Sequence, residues 1–133
     1  SQAGLKVDLV VRSICCLRPG IKGLSENIRV VSILGRFLEH SRIYYFENAG
    51  EPQVYLGSAD LMPRNLDRRV EVLFPIEDPR NIRYIRQQVL DTYLRDNTSA
   101  RIMQPDGSYK RLSPGKDEPE INSQLIFLRN ART

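Results

Sequence analysis

Residues 43–56 read Ile43-Tyr44-Tyr45-Phe46-Glu47-Asn48-Ala49-Gly50-Glu51-Pro52-Gln53-Val54-Tyr55-Leu56. Both ends of this stretch are rich in β-branched and aromatic residues, which favour strands, whereas Asn, Gly and Pro in its middle favour a turn. The stretch therefore predicts a β-hairpin with strands at residues 43–46 and 54–56.

Upstream of this hairpin, the sequence predicts one strand and one helix. Over residues 5–12, apolar and polar side chains first alternate and then give way to consecutive apolar residues, as in a strand. Residues 13–17 continue or restart that strand. Apolar residues recur at three- and four-residue spacing over residues 26–38, which predicts an amphipathic helix with Ser25 as its N-cap. Gly35 inside that helix costs about 1 kcal/mol relative to Ala, which indicates close packing or a site.

Downstream of the hairpin, the sequence predicts a strand, a long helix and a second hairpin. The strand covers residues 70–74, and Asp78, followed by a Pro, caps a helix that runs to about residue 96. The tail is assigned in order to two hairpin strands, a polar loop and a short helix, at residues 100–104, 108–112, 113–120 and 122–130. This mixture predicts a single α/β domain, a mixed β-sheet flanked by α-helices.

The composition is that of an ordinary globular domain. The 133 residues carry 20 Lys and Arg against 16 Asp and Glu, a net charge of +4, and 41% of them are hydrophobic. A chain of this length buries roughly two thirds of its unfolded surface, so it needs no disulfide or metal to hold a core. Collagenous, disordered and disulfide-scaffold classes are excluded.

The sequence also predicts a cytoplasmic protein without a structural metal. No apolar run approaches the ~18 residues of a membrane span, and the first residues do not form a signal peptide. Cys15 and Cys16 are adjacent, which predicts two reduced, buried side chains rather than a redox pair. His40 is the only histidine, so a zinc site has too few ligands.

Arginine outnumbers lysine, which occurs only at positions 6, 22, 110 and 116. The planar guanidinium group binds phosphate or carboxylate through two hydrogen bonds, so this bias indicates phosphate recognition unless genome composition produced it. Nucleic-acid binding is not expected, because no basic tract with interleaved aromatic residues is present.

His40 is the first candidate for chemistry, because histidine is suited to proton or phosphoryl transfer near neutral pH. The plainer interpretation is that it stabilises the C-terminal end of the predicted helix. His40 and Arg42 alternate at the entrance of the first hairpin strand, and Ser58 and Asp60 follow the second. The two ends of a hairpin lie together, so these residues form a set suited to phosphate, although Ser58 and Asp60 also suit a turn cap.

Two further groups of arginines are candidates for anion binding. Residues 64–69 contain three arginines at a predicted loop-to-strand junction, where they converge on an anion or form a solvated run paired with Asp67. Arg12 lies at the end of the first strand, where burial requires an anionic partner. That partner is either a carboxylate or a substrate phosphate.

The hairpin motif resembles a half-site of the phospholipase D superfamily. Members of that superfamily pair His-x-Lys with a downstream Gly-Ser and an Asn or Asp, and here His40-x-Arg42 precedes Gly57-Ser58-x-Asp60 with Arg where Lys is usual. Residues 8–96 are similar to the C-terminal domain of bacterial polyphosphate kinase, and three segments carry the similarity: residues 11–20, 37–44 and 58–71. Three motifs in the right order and spacing make this resemblance specific.

This resemblance implies a phospholipase D-like fold and an enzyme that reversibly transfers the γ-phosphoryl group of ATP to inorganic polyphosphate. The transfer passes through a phosphohistidine in a preceding domain, which also holds the arginines associated with Mg²⁺. His40 matches the second active-site histidine and is the catalytic candidate, with Arg12, His40 and Arg69 as ATP and phosphate ligands. The secondary candidates are Arg42, Ser58, Asp60 and Arg64.

The implied partners are ATP or ADP, polyphosphate, other domains of the same polypeptide and further copies in a homo-oligomer. The chain opens without Met almost directly into a strand, so we expect an excised catalytic domain, residues 1–133, that is inactive alone, with residues 113–133 as a possible extension. The expected location is cytoplasmic, with peripheral association with the inner membrane left open. Two alternatives remain: a phospholipase D-like phosphodiesterase or nuclease, and a noncatalytic polyphosphate-binding module.

Overall fold

The computed structural model describes residues 1–131, which fall into two units. Unit 1 contains residues 1–39 and 91–131, and unit 2 contains residues 40–90. The strands are β1 (Val7–Val10), β2 (Ile28–Ile33), β3 (Ile43–Phe46), β4 (Gln53–Gly57), β5 (Leu73–Ile76), β6 (Ala100–Met103) and β7 (Tyr109–Arg111). The helices are α1 (Pro63–Leu66), α2 (Pro79–Tyr84), α3 (Asp91–Arg95) and α4 (Ser123–Asn130), with a 3₁₀ turn at Asn48–Gly50 and a π-helical segment at Ile85–Leu90.

Unit 1 is built on a four-stranded sheet of order β1-β2-β6-β7. The β1 and β2 strands are parallel, and the remaining pairs are antiparallel. Val31, Ile33 and Ala100 form the buried core on β2 and β6, and Tyr93 of α3 packs against it. The predicted strand at residues 5–12 and the second hairpin are thus confirmed, which agrees with the predicted mixed α/β class.

The helix predicted over residues 26–38 is wrong. Residues 28–33 form the central strand β2, and its last four residues are buried. A strand that is buried on both faces carries apolar residues without strict alternation, so short apolar runs of this kind match helical and strand spacing alike. The β-branched Ile and Val side chains favour the extended form, and pairing with β1 and β6 selects it.

The local signals assigned to that helix have other roles. Ser25 closes a turn: its hydroxyl accepts from the Ile21 amide at 3.0 Å and donates to the Arg18 carbonyl at 2.6 Å. Gly35 lies beyond the end of β2, where a Cβ atom would overlap the side-chain amide of Gln124. The indication of close packing at Gly35 is therefore right, although the helix is not.

Two other expectations for unit 1 are also wrong. Residues 13–17 do not continue or restart a strand. Cys15 is half-buried and Cys16 is exposed, and both thiols are free, so neither is the buried apolar side chain that the sequence predicted.

The Asp96 carboxylate joins three elements of unit 1 and is only 1% exposed. Its Oδ1 accepts from the backbone amides of residues 98, 99 and 100, which lead into β6. Its Oδ2 accepts from the amide and the hydroxyl of Ser123 at the start of α4, each at 2.8 Å. Because Asp96 directly follows α3, these five hydrogen bonds fix the junction of α3, β6 and α4.

Unit 2 contains the predicted hairpin. The β3 and β4 strands are antiparallel, with Ile43 opposite Leu56, and β5 pairs with β4 on its other side. The strand predicted at residues 70–74 begins only at Leu73 and extends to Ile76. Before that point the chain bonds to Ser58, since the Ser58 amide donates to the Val72 carbonyl at 3.0 Å.

The predicted N-cap at Asp78 is confirmed, because its carboxylate accepts from the Arg80 amide at 2.8 Å. The helix that follows consists of α2, the π-helical segment and α3, and ends at residue 95, close to the predicted end. Arg86 of the π-helical segment lies 5.3 Å from the ring centre of Tyr45 on β3. Within residues 1–131, no helix has the length and apolar character needed to cross a membrane.

Candidate functional site

His40, Arg42 and Asp60 form one hydrogen-bonded group in unit 2, called here the His40 cluster. Arg42 Nη1 lies 2.7 Å from Nδ1 of the His40 ring and 2.7 Å from the His40 carbonyl oxygen. Arg42 Nε lies 3.0 Å from Oδ1 of Asp60, which makes an ion pair. One guanidinium group therefore links the histidine to the carboxylate.

The pairing of β3 with β4 brings this cluster together. Arg42 directly precedes β3, and its carbonyl accepts from the amide of Gly57, the last residue of β4, at 3.1 Å. Asp60 lies three residues after Gly57, so it lies at the same end of the hairpin as Arg42. The prediction that the two hairpin ends bring their residues together is confirmed for His40, Arg42 and Asp60.

Burial within the His40 cluster is graded. The side chains of Arg42 and Asp60 are 15% and 24% exposed, whereas His40 is exposed. Partial desolvation strengthens the ion pair, so the guanidinium is held in place while the imidazole remains accessible to solvent. The helix-end interpretation of His40 is wrong, because no described helix precedes it between residues 1 and 39.

Ser58 belongs to a second group in unit 2, called here the Glu71 cluster. Its hydroxyl donates to Oε2 of Glu71 at 2.5 Å and accepts from the Val72 amide at 3.0 Å. Asn65 Nδ2 donates to the other carboxylate oxygen, Oε1, at 2.9 Å. The predicted set of histidine, arginine, hydroxyl and carboxylate is thus divided: Ser58 bonds to Glu71, and Asp60 bonds to Arg42.

The Glu71 cluster holds an ionised carboxylate. Hydrogen bonds from Ser58, and then from Asn65, lower the pKa of the Glu71 carboxyl below its usual value, and the positive charges of Arg69 and Arg42 lower the pKa further. Arg42 therefore acts on Glu71 through its charge, in addition to its contacts with His40 and Asp60.

Asn65 and Glu71 are functional candidates that sequence reasoning missed. Asn65 lies in α1, is 3% exposed, and its Oδ1 has no hydrogen-bond partner among the described residues. Both residues lie within the 58–71 segment that resembles polyphosphate kinase, and a polar Asn between Pro63 and Leu66 is the signal that was overlooked.

The arginines of residues 64–69 lie on the surface of unit 2. Arg64 is in α1, and Arg68 and Arg69 follow it; all three are exposed. Arg69 acts on Glu71 through its charge. Their predicted convergence on an anion stays a prediction.

Arg12 lies in unit 1 and bonds to a backbone oxygen of the segment that leads to His40. It is half-buried, and its Nη1 donates to the carbonyl of Glu39 at 2.6 Å. With residues 33–39 it lines an open depression of about 240 Å³. An open guanidinium-lined depression is suited to an anion, so the substrate-phosphate interpretation of Arg12 stays a prediction.

Glu39, Tyr93 and Gln124 fix this segment, and sequence reasoning missed all three. The Glu39 carboxylate accepts from the Tyr93 hydroxyl at 2.5 Å and from Gln124 Nε2 at 2.6 Å. Gln124 also bonds to the amide and the carbonyl of Phe37. Burial, and then the Glu39 carboxylate, raise the pKa of the Tyr93 hydroxyl, so that it stays protonated as the donor. These contacts join residues far apart in the sequence, which no local pattern reveals.

The mixed sheets and flanking helices agree with a phospholipase D-like α/β fold, and Arg42 stands where the motif that the sequence resembles usually has lysine. The family described as "Polyphosphate kinase C-terminal domain 2" matches residues 1–124. The chain therefore belongs to this family.

Relatives and a solved structure agree with that assignment. Over 96% of this chain, the polyphosphate kinase of Pseudomonas aeruginosa is 57% identical, and over 97% the polyphosphate kinase 1 of Chlorobaculum tepidum is 56% identical. The crystal structure of polyphosphate kinase from Porphyromonas gingivalis matches 98% of this chain with a TM-score of 0.89 and 38% identity. The chain spans only 18% of the length of the two relatives and 20% of the solved chain.

Proposed function

We propose that this chain is a catalytic part of an ATP–polyphosphate phosphotransferase, which reversibly transfers the γ-phosphoryl group of ATP to inorganic polyphosphate. The observation that carries the proposal is the His40 cluster, which holds an exposed imidazole beside a fixed guanidinium group in a member of this family. In this proposal, the residue that becomes phosphohistidine lies in a preceding domain of the full-length enzyme.

The transfer requires stabilisation of negative charge on the phosphoryl oxygens. A positioned cation or hydrogen-bond donor lowers the barrier when it binds the transition state more strongly than the ground state. We assign this role to His40 as the catalytic residue and to Arg12 and Arg69 as ATP and phosphate ligands. Arg12 lines the open depression beside residues 33–39, and Arg69 is exposed, which supports contact of both with an anion.

The described residues do not fit a Mg²⁺ site. No group of three His, Cys, Asp or Glu side chains suited to a metal ion occurs within residues 1–131. Asp60 is paired with Arg42, and both oxygens of Glu71 accept hydrogen bonds from Ser58 and Asn65. Magnesium binds nucleotide phosphates through few protein carboxylates, and in this proposal it is held mainly by the preceding domain, as the resemblance implies.

The same proposal sets the partners of the full-length enzyme. These are ATP or ADP, polyphosphate, the other domains of the polypeptide and further copies in a homo-oligomer, in the cytoplasm or at the periphery of the inner membrane. Residues 1–133 act as one part of an active site, so the isolated chain is expected to be inactive.

ATP-dependent polyphosphate synthesis tests the proposal. Three samples are compared with magnesium supplied: the full-length enzyme, its His40→Ala variant and the isolated 133-residue chain. We expect synthesis by the wild-type enzyme alone, because His40→Ala lacks the catalytic imidazole and the isolated chain lacks the preceding domain. His40 is exposed, so its replacement should leave the fold of unit 2 intact. Exposed Arg83 gives a control, since Arg83→Ala should synthesise polymer normally.

Each other outcome contradicts part of the proposal. Normal polyphosphate synthesis by His40→Ala would show that His40 is not a catalytic residue. Synthesis by the isolated chain would contradict the assignment of the phosphohistidine to another domain. Absence of synthesis by a folded full-length enzyme would favour a noncatalytic binding module, and ATP-independent cleavage of a phosphodiester would favour a phosphodiesterase.

A further inference from the structure

Arg42 holds His40 through a contact that restricts the chemistry of the imidazole. A guanidinium group is always protonated in proteins and has no acceptor, so in a hydrogen bond with a ring nitrogen it must be the donor. The 2.7 Å contact between Arg42 Nη1 and His40 Nδ1 therefore uses the lone pair of Nδ1. In a neutral imidazole with Nδ1 unprotonated, the proton lies on Nε2.

The geometry around Arg42 makes this contact a fixed one. The Nη1 group also donates to the His40 carbonyl at 2.7 Å, and Nε is anchored on Asp60 at 3.0 Å. The guanidinium is planar and its side chain is 15% exposed, so the three contacts together leave it little freedom to turn away from the ring. The position and the hydrogen-bonding direction of His40 are set by the same group.

We propose that Arg42 is a positioning residue that holds His40 as the neutral Nε2–H tautomer, so that His40 donates a hydrogen bond to phosphate and neither gives up a proton nor acts as a nucleophile. This inference rests on the proposed function. It narrows the role of His40 and replaces the interpretation of Arg42 as a phosphate ligand.

The charge and proton balance of the transfer step agrees with this role. The bond between the γ-phosphorus and the β–γ bridging oxygen breaks, and a new bond forms between that phosphorus and the nucleophile of the preceding domain. The electron pair of the broken bond stays on the ADP oxygen. His40 Nε2–H donates a hydrogen bond to the developing charge and keeps its proton, since loss of that proton from a neutral ring would leave an imidazolate. A neutral imidazole as electrophilic donor is a known catalytic device.

The chain contains one histidine, which gives the inference a direct spectroscopic test. The ¹⁵N spectrum of the His40 imidazole is recorded on the 133-residue chain at mildly alkaline pH. We expect the shifts of a single Nε2–H tautomer, with Nε2 protonated and Nδ1 unprotonated. In Arg42→Met, both tautomers become populated, so the two ¹⁵N shifts move towards each other. The exposed Arg83→Met variant serves as the control and should match the wild type.

The conservative variant Arg42→Lys keeps a cationic donor and should keep shifts nearer to those of the wild type than Arg42→Met does. Amide spectra show whether each variant folds; if Arg42→Met does not, the wild type and Arg42→Lys decide the matter. Protonation of both ring nitrogens, or of Nδ1 alone, in the wild type would overturn the proposal. Identical imidazole shifts in the wild type and a folded Arg42→Met would also overturn it.

Kinetics of the full-length enzyme separate positioning from phosphate binding. A positioning role predicts that Arg42→Met lowers kcat by about tenfold to a hundredfold while KM for ATP changes less than about twofold. A several-fold rise in KM at unchanged kcat would identify Arg42 as a phosphate ligand and overturn the inference. If the wild-type enzyme makes no polyphosphate, the proposed function fails, whereas the imidazole spectrum still decides the tautomer of His40.

Discussion

Gln124 donates from Nε2 to Oε1 of Glu39 at 2.6 Å, across 85 positions of sequence. The same amide bonds to the backbone of Phe37 through both its oxygen and its nitrogen. Gln124 is 6% exposed, so these bonds replace contacts with water. Residues 37–39, which include the Glu39 carbonyl that accepts from Arg12, are therefore held by a side chain of α4.

Replacement of Gln124 should destabilise unit 1 and loosen residues 37–39. Gln124→Leu leaves the Phe37 backbone groups and the Glu39 carboxylate short of partners, so we expect a loss of about 1–3 kcal/mol in the free energy of unfolding. Urea unfolding measures it, with Gln87→Leu, an exposed glutamine, as the matched control. Equal stability of the two variants would show that the Gln124 contacts contribute nothing.

Gly35 should tolerate no side chain. A Cβ atom at this position would overlap the Gln124 amide, so Gly35→Ala should displace Gln124 and cost about 1–3 kcal/mol of unfolding free energy. Gly115 is a suitable control, because an added Cβ there meets Glu118 at an ordinary 3.7 Å. Thermal unfolding of both variants checks the difference; an unchanged melting temperature for Gly35→Ala would contradict the close approach.

Asp96 should be among the most sensitive positions for stability. Asp96→Asn preserves the shape but places a donor against groups that all donate to the carboxylate, so we expect a loss of about 2–4 kcal/mol. The control is Asp117→Asn, in the exposed loop before α4. Chemical denaturation measures the free energy of unfolding of both variants. Equal free energies would show that the Asp96 carboxylate does not stabilise the junction.

The lowered pKa of Glu71 predicts how folding stability depends on pH. Because its pKa is lowered on folding, its contribution to stability is fully present above its ordinary pKa of about 4.3 and is lost as the pH falls through the lower folded value. Carboxyl ¹³C titration of the wild type and Ser58→Ala tests the cause. The pKa should rise towards the ordinary value in Ser58→Ala, since the Ser58 hydroxyl is the largest cause of the shift. A Glu71 pKa at or above the ordinary value in the wild type would contradict the Glu71 cluster.

The local sequence predicted the elements whose partners are near in the chain. The hairpin of β3 and β4 follows from a turn between two aromatic strands, and the N-cap Asp78 with its Pro marks the helix start. The joining of His40 and Arg42 to Asp60 follows from the same hairpin, because antiparallel pairing returns the chain to where it began. Such features depend on contacts of short sequence separation, which local patterns encode.

The sequence by itself thus determined the α/β class, the hairpin and the residues at its ends, whereas only the tertiary structure decided β2, the Glu71 cluster and the support of Glu39. The spacing of residues 26–38 suits a helix and a doubly buried strand alike, and pairing with β1 and β6 selects the strand. Likewise, no local pattern shows that Ser58 bonds to Glu71 or that Gln124 bonds to Glu39. The physical reason is that burial and the completion of hydrogen bonds are set by partners brought together only when the chain folds.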